Sequence, residues 1–299
     1  MSTLAPRVVV VHRASELDGL LARHATLGRA EFFLRSRGRD LSEVRGRHEA
    51  LQGALATVAG AIPVDWRRGT VERADLDRFA FSPQDVVVAV GQDGLVANVA
   101  KYLQGQPVIG VDPEPGQNPG VLVQHRPQAV AALLEAVAAG RAGVQPRAMV
   151  AAQADDGQSL VALNELYLGH PTHQSSRYRL TVPGLGTERQ SSSGVIVGSG
   201  TGATGWCASL VSQRGGRDRL PGPQEDCLAW FVREPWPSPS TGTSLSAGLL
   251  SAAQRLVLDV ESDGLVIFGD GVESDCLSLG WGQRASVHLA SRRLALVVG

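Results

Sequence analysis

The residues best suited to chemistry in this chain lie on two glycine-rich turns. Gly91-Gln92-Asp93-Gly94 follows an apolar run, Val86–Val90, and precedes a helical pattern over Leu95–Leu103. An open α/β sheet places its ligands at such points, where a buried strand ends and a helix begins. Backbone N–H groups there can hold phosphate oxygens, and glycine lets those oxygens come close. A carboxylate at the same point has two chemical uses: general base toward a hydroxyl, or part of a magnesium site beside a polyphosphate. Without a ligand, the same four residues make a tight turn whose aspartate caps the helix.

The second turn, Gly200-Thr201-Gly202-Ala203-Thr204-Gly205, spells G-x-G-x-x-G directly after Val195–Val197. That is the spelling of a dinucleotide fingerprint. A fingerprint also needs a βαβ unit and an acidic residue about 20 positions on, at the end of the second strand. Here Glu225 and Asp226 precede the next apolar run, Leu228–Val232, and the turn sits in a β-rich part of the chain. The spelling fits and the context does not, which argues against a nicotinamide-dependent oxidoreductase.

The elements that must position these turns fall into two halves. In the first, strands at Val8–Val11, Ile62–Trp66, Val86–Val90 and Pro107–Val111 alternate with helices. Leu41, Val44, His48, Leu51, Leu55 and Val58 recur at helical spacing, as do Val130, Leu133, Leu134 and Val137 within Gln128–Ala139. Strand–helix alternation of this kind predicts a parallel sheet covered by helices. After about residue 143 short β-rich runs take over, from Leu163–Leu168 to Leu294–Val298, separated by Pro183-Gly184, Gly215-Gly216, Pro221-Gly222 and Asp263-Gly264. The expected fold class is an α/β N-terminal domain over 1–143 and an all-β, sandwich-like domain over 144–299. Residues 212–224, rich in Gly, Arg and Pro, read as a mobile loop.

Composition narrows the function classes. A net charge of −1, from 28 basic and 29 acidic residues, gives no electrostatic case for a nucleic-acid or membrane surface. Only one lysine, Lys101, is present, so a phosphate-gripping lysine can only be that residue. Cys207, Cys227 and Cys276 are widely spaced and odd in number, which supports neither a disulfide framework nor a zinc site. No secretory leader pattern or long apolar run is evident, so the expectation is a soluble protein of the reducing cytoplasm. His170 and His173 read as a solvated loop, His48 as a satisfied core histidine, and Arg233 as a structural partner of a carboxylate at a domain seam. Asp270, within Gly269-Asp270-Gly271, reads as a hairpin turn.

Taken together, the Asp93 turn, Asn164-Glu165 in "ALNELYLG" and the segment Ser193–Trp206 resemble the NAD kinase family, whose fold is diacylglycerol-kinase-like. That family carries GGDGT after a strand, an Asn-Glu pair, and a DG-x-x-x-(S/T)TPTGSTAY segment, in this order. "VVVVHR", "PVIGVDPEPGQNPGVL", "SSGVIVGSGTGATGW", "FVREP" and "GDG" look like its mitochondrial-type branch. The resemblance implies transfer of the ATP γ-phosphoryl group to the adenosine ribose 2′-hydroxyl of NAD, with Mg²⁺, in a homodimer. It implies that Asp93 is the catalytic base and that Gly91, Gln92 and Gly94 lie along the phosphates. Asn164 and Glu165 would bind the substrate ribose and adenine side, while Ser199, Gly200, Thr201, Gly202, Thr204, Gly205, Trp206 and Ser209 line the dinucleotide. Four positions depart from the pattern. Gln92 replaces a glycine, Leu95 a threonine whose hydroxyl can serve phosphate or metal, Ser193 an aspartate, and Gly200 a proline, a change expected to loosen its loop.

Overall fold

The computed structural model describes residues 6–117, 120–216 and 218–299. Asn118 and Pro119 of the "QNPG" stretch and Arg217 of the expected mobile loop lie outside them. The chain divides into two compact units, one made of the residues up to Gln145 with Ala295–Gly299, the other of Pro146–Leu294. The C-terminal strand, counted above with the β-rich half, thus belongs to the first unit. Its Ala295 and Leu296 pair parallel with Pro107 and Val108.

The first unit is built on one six-stranded sheet. β1 (Arg7–His12), β2 (Arg67–Glu72), β3 (Asp85–Val90), β4 (Pro107–Val111) and β5 (Gly143–Arg147) join the C-terminal strand Leu294–Val298. Their order is β2-β1-β3-β4-C-terminal strand-β5, and β1 to β4 run parallel. β3 is buried at all six residues, and after Asp85 it is apolar throughout, as a central strand covered on both faces requires. Its register is pinned where Arg7 faces Asp85. The guanidinium donates to both carboxylate oxygens, at 2.8 and 2.6 Å, and the Ser82 N–H donates to the second at 2.7 Å.

Helices α1 (Glu16–His24), α2 (Leu27–Arg35), α3 (Leu41–Ala61), α4 (Asp93–Ala100) and α5 (Val130–Ala138) complete the unit. α3 and α5 pack on one sheet face through Ala54, Val58, Val130 and Leu134. α4 packs against β1, β3 and β4, and every residue from Leu95 to Ala100 is buried. A helix buried all round has no solvent face, so its first turn is fixed by the core beneath it. Two expectations shift here. The strand expected at Ile62–Trp66 begins only at Arg67, because Ile62 caps α3 and Pro63 opens a turn closed by the Trp66 N–H. The segment before α3 forms two nine-residue helices, each started by a capping hydroxyl, Ser15 or Thr26.

The second unit is a sandwich of two antiparallel six-stranded sheets. One contains β6 (Val150–Ala154), β7 (Ser159–Ala162), β9 (Ser176–Val182), β10 (Gly186–Ser192), β14 (Leu256–Val260) and β17 (Arg284–Leu289). The other, in order β13-β12-β11-β8-β15-β16, contains β8 (Glu165–Gly169), β11 (Val195–Gly198), β12 (Cys227–Val232), β13 (Ala247–Ser251), β15 (Leu265–Gly269) and β16 (Val272–Leu279). Alternation along the strands splits their side chains. Leu166, Leu168, Val195, Val197 and Trp230 enter the core between the sheets. Tyr167, Ile196 and Phe231 face outward and are covered by Cys207 and Leu210 of α6 (Trp206–Gln213).

Candidate functional site

Asp93 opens α4 at the carboxyl end of β3, after a turn whose Gly91 N–H donates to Val111 at 3.0 Å. Its half-buried carboxylate is clamped by backbone. The N–H groups of Leu122 and Val123 donate to Oδ1 at 2.9 and 3.0 Å, and that of Val121 to Oδ2 at 2.8 Å. A carboxylate offers about four lone-pair positions. Three are taken, so Oδ2 keeps one for an incoming hydroxyl.

The clamp is itself held. Gly110 on β4 lets the Leu122 carbonyl pass against the strand where any Cβ would collide with it. A Cβ on Gly120 would stand 2.7 Å from Asp93 Oδ1. The buried His125 ties the end of the same loop to the C-terminal strand, its Nε2 lying 3.0 Å from the Val297 carbonyl. By contrast, the Cα of Gly94 faces open space, and Gln92, at the N-cap, is exposed and makes no capping bond.

In the second unit, Glu165 begins β8 directly after Asn164, and the second glycine-rich turn closes around them. The Ser199 N–H donates to the Asn164 carbonyl at 2.8 Å, its hydroxyl to the Leu163 carbonyl, and the Thr201 N–H to Ser199 Oγ at 3.1 Å. A Cβ on Gly202 would collide with the Asn164 backbone, and one on Gly198 with Cys207 Sγ. Asp270 completes the enclosure. Its carboxylate accepts the N–H groups of Leu163 and Asn164 at 2.8 and 2.7 Å.

This surrounding changes the electrostatics of Glu165. Burial first, and then the charge of Asp270, push its carboxyl up from an ordinary value near 4.5 to about 7. Burial, helped by Glu165, likewise pushes the Cys207 thiol up to about 12, so that sulfur is an inert packing atom.

Two solved structures share this architecture. An NAD kinase from Archaeoglobus fulgidus, in complex with ATP, superposes with a TM-score of 0.58 over 98% of this chain and 93% of its own, at 16% identity. Yeast NADH kinase, complexed with NADH, gives 0.61 over 100% of this chain and 84% of its own, at 13% identity. The fold is that of the NAD kinases. By sequence alone, no known family and no curated protein matches the chain.

On this NAD kinase fold, the four departures acquire physical meaning. Leu95 is 5% exposed and tucks under the Asp93 turn, its Cδ2 lying 3.1 Å from where a Cβ on Gly91 would stand. Gly200 does not loosen its loop. It lies so tightly on the Gly222–Pro223 backbone that no side chain fits, and the turn is pinned there. Ser193 is held by its backbone, with the N–H on the Arg233 carbonyl at 3.0 Å and the carbonyl accepting the Tyr167 hydroxyl at 3.3 Å. Gln92 alone of the four projects into solvent.

The remaining candidates divide by exposure. Ser199, Gly200, Thr201 and Gly202 are buried, and the Thr201 hydroxyl has no hydrogen-bond partner among the described residues. Thr204, Gly205 and Ser209 are exposed around the start of α6. Trp206 stacks on Tyr167, with ring centroids 6.2 Å apart and 8° between planes. The Arg233 guanidinium lies 5.4 Å from the Trp206 ring centre and pairs with Glu234 at 3.5 Å, so its carboxylate partner is its own neighbour. His170 is engaged by Thr172, and His48 reaches Ser15 at 2.7 Å. The sequence reading missed the Val121–Val123 clamp and His125, and it took Asp270 first for a turn residue, with facing the cleft as the lesser alternative. Glycines leave the local signal for both: Gly110 and Gly120 for the clamp, and Gly269 and Gly271 on either side of Asp270.

Proposed function

We propose that the protein is an ATP-dependent kinase that phosphorylates the adenosine ribose 2′-hydroxyl of NAD or NADH. The observation that carries this reading is the Asp93 clamp on a fold shared with two NAD(H) kinases. A base toward a hydroxyl must be oriented before the substrate arrives, and three backbone donors orient this carboxylate while leaving one acceptor position. In the reaction, Asp93 takes the 2′-hydroxyl proton as the ribose oxygen attacks the γ-phosphorus and ADP leaves in line.

Phosphate binding falls to backbone N–H groups. Lys101, the one lysine, is buried at the far end of α4 from Asp93. Exposed Gly94, with space over its Cα, lets a phosphate approach the helix start. Magnesium fits as a companion of the ATP phosphates, the usual mode for an ion that keeps several waters. Among the described residues no three His, Cys, Asp or Glu side chains gather to hold it alone. It would neutralise charge developing on the transferred group. In the second unit Asn164, Glu165, Thr204, Gly205, Trp206 and Ser209 are proposed to touch the dinucleotide. Ser199, Gly200, Thr201 and Gly202 hold Asn164 in place for it.

The test is direct. Incubation with ATP, magnesium and NAD or NADH should yield ADP and the 2′-phosphorylated dinucleotide. Binding of NAD without product would sink the assignment. Exposed Gln92 beside the catalytic aspartate favours one second reading, a kinase of the same fold with another hydroxyl acceptor. ADP release with other nucleosides or sugars, and not with NAD or NADH, would establish it.

A further inference from the structure

Asp270 does more than a turn requires. Its backbone is left-handed, at φ 54°, which glycine or asparagine would serve equally well. Its carboxylate instead reaches the strand start more than a hundred residues earlier and accepts the Leu163 and Asn164 N–H groups. Its own N–H donates to the Glu165 carbonyl at 3.1 Å. Three bonds from one residue therefore fix the backbone of Leu163–Glu165. None of them uses the Asn164 carboxamide or the Glu165 carboxyl. The arrangement also sets a carboxylate beside a carboxyl, with Cys207 of α6 a further titratable neighbour of Glu165. Like charges disfavour ionisation of both, and the pair is relieved by a proton held on Glu165.

We propose that Asp270 is a positioning residue for the phosphoryl acceptor, presenting Asn164 and Glu165 together to the hydroxyls of a ribose-containing nucleotide. This rests on the kinase reading above and deepens it. Asp270 touches no substrate; it acts through the backbone it holds.

Two substitutions separate the carboxylate from the turn. Asp270→Gly keeps the left-handed conformation and removes both acceptors, while Asp270→Asn keeps the conformation and one acceptor. Steady-state kinetics with NAD and ATP varied separately, on the full chain, should show the Gly variant raising KM for NAD about tenfold or more while KM for ATP stays within about twofold. The Asn variant should fall between the Gly variant and the wild type. Carbon-13 detection of the Glu165 carboxyl should show it titrating lower in both variants, toward an ordinary carboxylate. An unchanged KM for NAD in a folded variant, or equal rises for both substrates, overturns the proposal. If the Gly variant does not fold, the Asn variant carries the same comparison. A wild-type protein that turns over neither NAD nor NADH overturns the kinase reading instead. In that case a Glu165 titration unmoved by Asp270→Asn overturns the local arrangement independently.

Discussion

The two glycine-rich turns are spelled for the same task and built for different ones. At Gly91–Gly94 the backbone of Gly94 is exposed and nothing stands where its Cβ would be. At Gly198–Gly205 the first three glycines are pressed against protein: Gly198 on Cys207, Gly200 on Gly222 and Gly202 on Asn164. Only Gly205, whose nearest neighbour would be 3.7 Å from a Cβ, has an open side. Glycine thus leaves open space in one turn and permits protein self-approach in the other. A fingerprint motif records that something comes close without recording what.

The largest effect should come from filling the closed turn. Gly200→Ala places a methyl inside the Gly222 carbonyl, against backbone that has no rotamer to adopt. Overpacking of this kind costs about 3 kcal/mol or more, because the chain itself must move. The urea midpoint of the second unit should fall accordingly. A variant melting like the wild type would mean the turn is as loose as its missing proline suggests.

The turn also encloses Glu165, and the enclosure predicts a pH dependence of definite sign. The folded carboxyl holds its proton to about pH 7, whereas the unfolded chain releases it near 4.5. Between those values the unfolded state binds fewer protons, so stability falls as pH rises and levels off above about 7. Glu165→Gln cannot ionise. It should stabilise the protein at pH 8 by up to about 3 kcal/mol and leave it nearly unchanged at pH 4.5, read from denaturant midpoints at both pH values. A gain that is the same at both would mean that Glu165 titrates normally.

How much of this was legible before the fold was known follows from the range of the forces involved. β3 announced itself because a strand buried on both faces must be apolar throughout. β2, largely exposed along its length, carries no such pattern, and the reading placed it one turn too early. The Asp93 turn was readable because strand, turn and helix are contiguous. Its clamp was not, because Val121–Val123 contribute only N–H groups, which every residue but proline possesses. The same holds for the backbone N–H groups that the Asp270 carboxylate accepts more than a hundred positions away. Side-chain chemistry leaves a trace in the alphabet. Backbone chemistry leaves one only where glycine had to make room, as at Gly110, Gly120 and Gly202.

The open turn should tolerate change better and reveal more by activity. Asp93→Asn keeps Oδ1 for Leu122 and Val123 but turns an amide N–H₂ toward the Val121 N–H. One solvent-exposed bond replaced by two opposed donors costs about 1 kcal/mol. Phosphorylation should fall by about 10²–10⁴, the usual contribution of a positioned base. Product formation that survives this substitution removes Asp93 from the chemistry.

Gly94→Ala should have the smallest structural effect and gives the sharpest reading of the comparison. The site lies in the first turn of α4, its φ is outside the left-handed region, and its Cβ meets nothing. Alanine restricts the unfolded chain more than glycine does, so the thermal midpoint should hold or rise, by the equivalent of about 0.5 kcal/mol. The new methyl nevertheless occupies the space through which a phosphate would reach the helix N–H groups. KM for ATP should therefore rise in a protein that is as stable as its parent, the reverse of Gly200→Ala, whose first effect is on stability. If Gly94→Ala binds ATP normally, the open space is not a phosphate path, and the two turns differ in packing alone.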